Sequence, residues 1–366
     1  MPVSEQAVMD ALRTVNDPDL KRDLVSLNMV RDVKISEAGE VSLTVVLTTP
    51  ACPLKGQIES DVKAAVMRVP GVKRVVVDMG SSVSGIQRPA DLARGVRNIV
   101  GVASGKGGVG KSTVSVNLAV ALAQSGAKVG LLDADIYGPN VPLMLGLAGH
   151  QPEVVTRPDH QGGEIEMIKP LEAHGLKVMS MGFLIGEDTP VIWRGPMLNS
   201  ALRQFLGQVD WGDLDYLIVD LPPGTGDVQI SLIQLVKVTG IVHVTTPQAV
   251  AVQDVRKGVM MFQSQNIPLL GIIENMSYFV PPGASEPVYV FGKGGGRQIA
   301  ETYGLRFLGE IPMAVEIREG GDNGVPIVVA RPDSPTAKTF VAIAEQLASQ
   351  ISIENYSQSG RQGAAV

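Results

Sequence analysis

Apolar positions along the chain change period several times, and each change marks an element. Near the start, Val8, Leu12 and Val15 recur at helical spacing behind Ser4, a residue type that caps helices. VSLTVVLTT (41–49) is rich in β-branched residues and predicts a strand. Pro50-Ala51-Cys52-Pro53 reads as a turn. Ile58, Val62, Ala65 and Val66 return to helical spacing, Pro70-Gly71 breaks that helix, and VKRVVVDM (72–79) predicts a second strand. Residues 1–80 therefore predict a small α+β domain. Residues 81–97 are Gly/Ser-rich and then polar, which predicts a linker.

From Asn98 the texture is different. NIVGVAS (98–104), AKVGLLD (127–133), YLIVDLP (216–222), GIVHVTT (240–246) and PLLGIIE (268–274) are short apolar runs, with helical segments between most of them. Near-continuous apolar strands alternating with helices predict a mostly parallel sheet covered by helices on both faces. A last helix is expected from about Ser334 to Ser352, with Phe340, Ile343, Leu347 and Ile351 on one face. Residues 98–353 thus predict one large α/β domain. The polar residues 354–366 predict a flexible tail, and no internal repeat is visible.

Composition narrows the function classes. A length of 366 residues suggests two domains at about 150 residues each. The net charge is −6, and residues 1–90 carry 11 basic and 11 acidic side chains, so the whole excess lies in the rest. Such a balance gives no global field for gripping nucleic acid. No stretch of 18 apolar residues suggests a membrane span, and the N-terminus lacks the pattern of a secretory signal. The single cysteine, Cys52, excludes an intrachain disulfide and any metal site built from several cysteines of one chain. The four histidines are scattered. A cytoplasmic chain with neither a nucleic acid nor a membrane partner is expected.

The chemistry concentrates in Gly105-Lys106-Gly107-Gly108-Val109-Gly110-Lys111-Ser112-Thr113. It matches G-x-x-x-x-G-K-[ST] between a predicted strand and a predicted helix, the context that a phosphate-binding loop requires. Glycines let the backbone curl until its N–H groups face phosphate oxygens, and the following helix adds its positive end. Lys111 then reaches the β/γ-phosphates of a nucleotide, and the Ser112 hydroxyl ligates Mg²⁺. Lys106 is a second lysine in the same loop. Two ammonium groups would repel on one phosphate, so Lys106 is either a solvated loop lysine or a group that reaches the nucleotide of a second copy.

The octapeptide K-G-G-V-G-K-S-T resembles the deviant P-loop of the MinD/ParA class of ATPases, which includes the nitrogenase iron protein. In that class the early lysine crosses a homodimer interface. LLDADIYGPNVP (131–142), VIWRGPML (191–198), DYLIVDLPPGTGD (215–227), ENMSYF (274–279), FGKGGG (291–296) and IREGGDNGVPIV (317–328) are similar to blocks of the Mrp/ApbC family of iron–sulfur cluster carriers. The resemblance implies ATP hydrolysis, cofactors ATP and Mg²⁺, a homodimer, and apoprotein clients. It implies that Asp135 positions water, that Asp133 supports Mg²⁺ from its outer shell, and that Asp220 is a Walker-B-type carboxylate. The competing reading makes Asp133 and Asp135 simple caps. Pro222-Pro223-Gly224 resembles the family's γ-phosphate-sensing switch, or is an ordinary turn. Asn275 corresponds to an adenine-binding asparagine, or is a turn residue.

Cluster-carrying members hold Cys-x-x-Cys after N-M-S-Y-F. Here Pro281 and Ala284 stand at the corresponding positions, and neither offers a ligand. DPDL (17–20) and Thr49-Pro-Ala-Cys52-Pro are similar to the SufT-like iron–sulfur assembly domain, in which Cys52 falls on the reactive cysteine. It is either a thiol for redox chemistry or an iron–sulfur cluster, or a small packing residue. Three functions stay open: an ATPase that carries clusters, a regulatory or positioning ATPase of the MinD/ParA class, and an adaptor that has lost cluster chemistry.

Overall fold

The computed structural model describes residues 3–85, 92–136, 138–158, 163–184, 195–224 and 227–363. The expected linker and the blocks at 131–142, 191–198 and 215–227 lie partly outside these residues. The described chain divides into two units, one of residues up to Ser84 together with those from Ala348, the other Gly85–Leu347.

In the smaller unit, α1 (Glu5–Leu12) starts at Ser4, whose hydroxyl accepts the Ala7 N–H, and buries Val8 and Leu12. A two-residue pair, β1 (Asn16–Asp17) and β2 (Arg22–Asp23), follows. β3 (Val30–Ile35) and β4 (Glu40–Leu47) are antiparallel, and α2 (Lys55–Met67) crosses over to β5 (Arg74–Ser81), parallel to β4. On β4 every second side chain, Val41, Leu43, Val45 and Leu47, is buried. These pack with Ile58, Val62 and Val66 of α2 into one core, as the alternating and helical spacings require.

In the larger unit β6 (Val96–Ser104) leads into the phosphate loop and α3 (Lys111–Gln124). β7 (Val129–Asp133) and α4 (Val141–Met144) come next. An antiparallel pair, β8 (Glu153–Pro158) and β9 (Glu164–Lys169), and the short β10 (Leu171–Ala173) precede β11 (Leu176–Ser180). Then come α5 (Gly195–Gly207), β12 (Leu214–Asp220), α6 (Asp227–Leu235), β13 (Gly240–Thr245), α7 (Ala249–Ser264), β14 (Leu269–Glu274), α8 (Gly295–Tyr303) and β15 (Phe307–Glu310). The chain closes with α9 (Val315–Asp322), α10 (Ile327–Ala330) and α11 (Pro335–Gly363).

The eight-stranded sheet runs β10-β11-β7-β12-β6-β13-β14-β15, and only β10 is antiparallel. Every position of β7, β12 and β13 is buried, so both faces of the sheet are covered. β6 lies between β12 and β13, where the strand order reverses, and the crevice at the carboxyl ends of such strands is where this architecture binds ligands.

One expectation needs correction. The last helix does not end near Ser352 with a flexible tail beyond it; α11 continues to Gly363. Partners distant in sequence hold it. Ser349 donates to Asp19, Tyr356 receives a hydrogen bond from Arg22, and the Asn355 amide donates to the Ser84 carbonyl, all within the smaller unit.

Candidate functional site

The phosphate loop joins the end of β6 to the start of α3. Gly110 precedes that helix with φ +79°, and no side chain caps it, so the helix's first N–H groups stay open to an anion. A Cβ at Gly110 would sit 2.2 Å from Asn275 Nδ2, so glycine here serves both the left-handed turn and the room for that amide. Asn275 follows β14 directly and donates through Nδ2 to the Val109 carbonyl at 2.8 Å. The strand end thereby braces the loop.

Two parallel strands deliver the carboxylates. β7 ends at Asp133 and β12 at Asp220, neighbours in register. Asp220 is fully buried; it accepts from Ser112 Oγ and Ser115 Oγ, both at 2.6 Å, and pairs with Lys111 Nζ at 2.8 Å. Lys111, only 6% exposed, also lies 3.4 Å from Asp135. Asp133 accepts from Ser180 Oγ and from the N–H groups of Asp135 and Val141. Burial, reinforced by the charge of Asp220, pushes the Asp133 carboxyl well above the usual carboxylate range.

The structure therefore brings Lys111, Ser112, Asp133, Asp135 and Asp220 into one cluster beside Asn275. Two ammonium groups do not share it: Lys106 Nζ donates instead to Gln248, just before α7. Cys52 belongs to the other unit, three residues before α2 and half-buried against that unit's core. Sequence reasoning missed Ser115 and Gln229. Ser115 stands one turn after Lys111, a spacing that could have revealed it. Gln229 is buried on α6 and donates through Nε2 to the carbonyls of Pro222 and Gly224, a contact no local pattern announces. Gly224 in turn donates to Ser104 at the end of β6, which ties the expected switch turn to the phosphate loop.

A cavity of about 620 Å³ opens beside the loop, lined by Gly110, Thr113, Asn275 and the apolar Leu143, Met276 and Phe279. A largely apolar chamber with two amides, Asn140 and Asn275, suits a flat heterocyclic base, and the lysine and open helix end suit its phosphates. The donor set fits Mg²⁺: a hydroxyl beside a carboxylate offers hard oxygens, and this ion completes its shell with water and phosphate.

Comparison with known proteins meets this geometry. Residues 95–348 match the model of the NUBPL iron-transfer P-loop NTPases, and residues 5–78 that of an iron–sulfur cluster assembly protein. The chain is 53% identical to the iron–sulfur cluster carrier protein of Synechocystis sp., over 96% of its own length and 99% of that protein's. It is 40% identical to the carrier protein of Escherichia coli, over 96% and 92%. A nucleotide-binding protein of Archaeoglobus fulgidus, solved with ADP, superposes with a TM-score of 0.55 at 37% identity, over 66% of this chain and 91% of that one. With a phosphate loop at the switch point of a mostly parallel sheet and a family match across most of its length, the chain belongs to the NUBPL iron-transfer P-loop NTPases.

Proposed function

We propose that the chain is an ATP-hydrolysing carrier that delivers iron–sulfur clusters to apoproteins, acting as a homodimer. The observation that carries the reading is the convergence of Lys111, Ser112, Asp135 and Asp220 on the phosphate loop. The names of the relatives, iron–sulfur cluster carrier and transfer proteins, support the cargo.

The chemistry follows from the residues. The Lys111 ammonium, beside Asp135 and Asp220, is the charge that meets the β/γ-phosphates of ATP. Ser112 and Asp220 would hold Mg²⁺, with Asp133 in its outer shell, and the ion would neutralise phosphate charge. Asp135 orients the attacking water, and the Asn275 amide meets the adenine edge in the cavity. Lys106 leaves Gln248 to reach the nucleotide of a second copy. Lys106→Ala should keep ATP affinity and lose ATP-stimulated dimerisation; sedimentation that finds one oligomer with and without ATP in both proteins would refute this role.

The main test is Lys111→Ala. It removes the charge that holds the phosphates, so ATP affinity should drop by at least about 100-fold and hydrolysis with it. Cluster transfer to an apoprotein, followed by visible absorption, should become independent of ATP. Unchanged ATPase activity in that variant would overturn the site. Asp135→Asn should spare binding and lower turnover, because it leaves the cradle intact.

A further inference from the structure

Two motifs, E-N-M-S at 274–277 and F-G-K-G-G-G at 291–296, are joined by one buried carboxylate. Glu274 is fully buried at the end of β14. One oxygen accepts from Ser277 Oγ at 2.6 Å, and the other accepts from the Gly296 N–H at 2.6 Å. That N–H is one of the open donors at the start of α8, whose preceding residue, Gly294, is left-handed and offers no side-chain cap. The carboxylate is therefore the cap, supplied from 22 residues away. A Cβ at Gly296 would lie 3.1 Å from Glu274 Cβ and 3.3 Å from Glu274 Oε2, so the glycines keep this path clear.

The turn that Glu274 anchors is the one beside the nucleotide cavity. Between Asn275 and Ser277 stands Met276, with φ +52°, a left-handed conformation that strains a non-glycine residue. The turn is pinned at both flanks. Asn275 N–H donates to Thr245, and Ser277 N–H donates to Ile311. The Asn275 side chain then has one orientation, because a single N–H of Nδ2 is committed to Val109. With one N–H of Nδ2 so committed, Oδ1 and the second N–H form an acceptor–donor pair of fixed order for an incoming base. That order matches the amino group and N1 of adenine and mismatches O6 and N1–H of guanine.

The geometry points to Glu274 as the positioning residue for base recognition: by locking the 275–277 turn to the start of α8, it fixes the Asn275 amide and so selects adenine over guanine nucleotides. The assignment rests on the nucleotide reading of the cavity. It touches neither phosphate nor reacting atoms, so its signature is in affinity and base choice rather than in chemistry.

The test is titration with fluorescent ribose-labelled ATP and GTP analogues, beside steady-state kinetics, on the full chain. Glu274→Gln keeps the size but puts an amide N–H against the Gly296 N–H or Ser277. It should raise the ATP-analogue Kd about tenfold, erode the ATP-over-GTP preference by a similar factor, and lower turnover at saturating ATP by less. Added to Asn275→Ala, it should cost nothing further, because both act through one amide. Ser277→Ala, which removes one donor only, should give a smaller shift in the same direction. It keeps the proposal testable where Glu274→Gln fails to fold by circular dichroism. Wild-type preference in these variants, or additive losses in the double variant, would overturn the assignment alone. A wild-type chain that binds neither analogue would overturn the nucleotide reading and this one with it.

Discussion

A histidine inside the sheet gives the residue scale its clearest consequence. His243, on β13, is buried, and neither ring nitrogen has a hydrogen-bond partner. Its ring stacks at a tilt 5.5 Å from Phe262, in a space that Gly258 leaves open. Burial pushes its pKa down to about 4 from 6.5. Between those values the unfolded chain binds a proton that the folded chain refuses. The stability linked to His243 is therefore complete above pH 6.5 and falls as pH drops toward 4, by about 3 kcal/mol in all. His243→Leu should remove that slope, measured as urea unfolding free energies at pH 7.5, 5.5 and 4.5. An equal slope in both proteins would assign the acid loss to carboxylates instead. Sequence alone could not mark this histidine, because its environment is made by a helix that follows it. Lys111, Ser112 and the strand-end carboxylates were legible, since a phosphate loop needs those residue types at fixed spacing. Lys106 was legible as anomalous, but its contact with Gln248, 142 residues away, was not.

At the element scale, α3 is bracketed by two left-handed glycines that do different work. Gly110 opens the helix and Gly126, with φ +99°, follows its end. A Cβ at Gly126 meets nothing within 4 Å, whereas one at Gly110 lands on the Asn275 amide. Gly126→Ala should cost about 1–2 kcal/mol of stability through backbone strain and leave ATP affinity as it was. Gly110→Ala should carry the same strain and also displace Asn275 from Val109, so ATP binding should collapse. Thermal unfolding paired with a nucleotide titration separates the two; equal ATP affinity in both variants would refute the role given to Gly110. Five strands of the large sheet, β6, β7, β12, β13 and β14, are legible for a related reason, since burial on both faces forces continuous apolar runs; β10, β11 and β15 are not. The antiparallel pair β8 and β9 was not, because its exposed side chains follow no apolar period. The last turns of α11 were misread because their composition is polar, while the groups that fix them, Asp19, Arg22 and Ser84, lie at the other end of the sequence.

The cargo raises a question of stoichiometry that only the whole molecule answers. An all-cysteine cluster takes four thiolates, yet each chain holds one cysteine, so the proposed homodimer would supply two. Among the described residues no other His, Cys, Asp or Glu cluster makes up the deficit. A cluster on this protein must then borrow ligands from small thiols, from oxygen or nitrogen side chains of a second copy, or from the client itself. Borrowed ligands exchange, so the cluster should be more labile to chelators than an all-cysteine one, a useful property where the cargo is to be handed on. Cys52 is half-buried near the start of α2, and it is the sole thiol that can anchor such a cluster. Anaerobic reconstitution with iron and sulfide should give the wild type a chelator-sensitive visible chromophore, with iron counted per dimer. Cys52→Ser should lose the chromophore and keep ATP hydrolysis, because the phosphate-loop cluster contains no sulfur. A stoichiometric chromophore in Cys52→Ser would refute the thiol's role. A wild type that takes up no iron under the same conditions would instead make the chain an adaptor, with ATP turnover intact and the cluster carried by its partner.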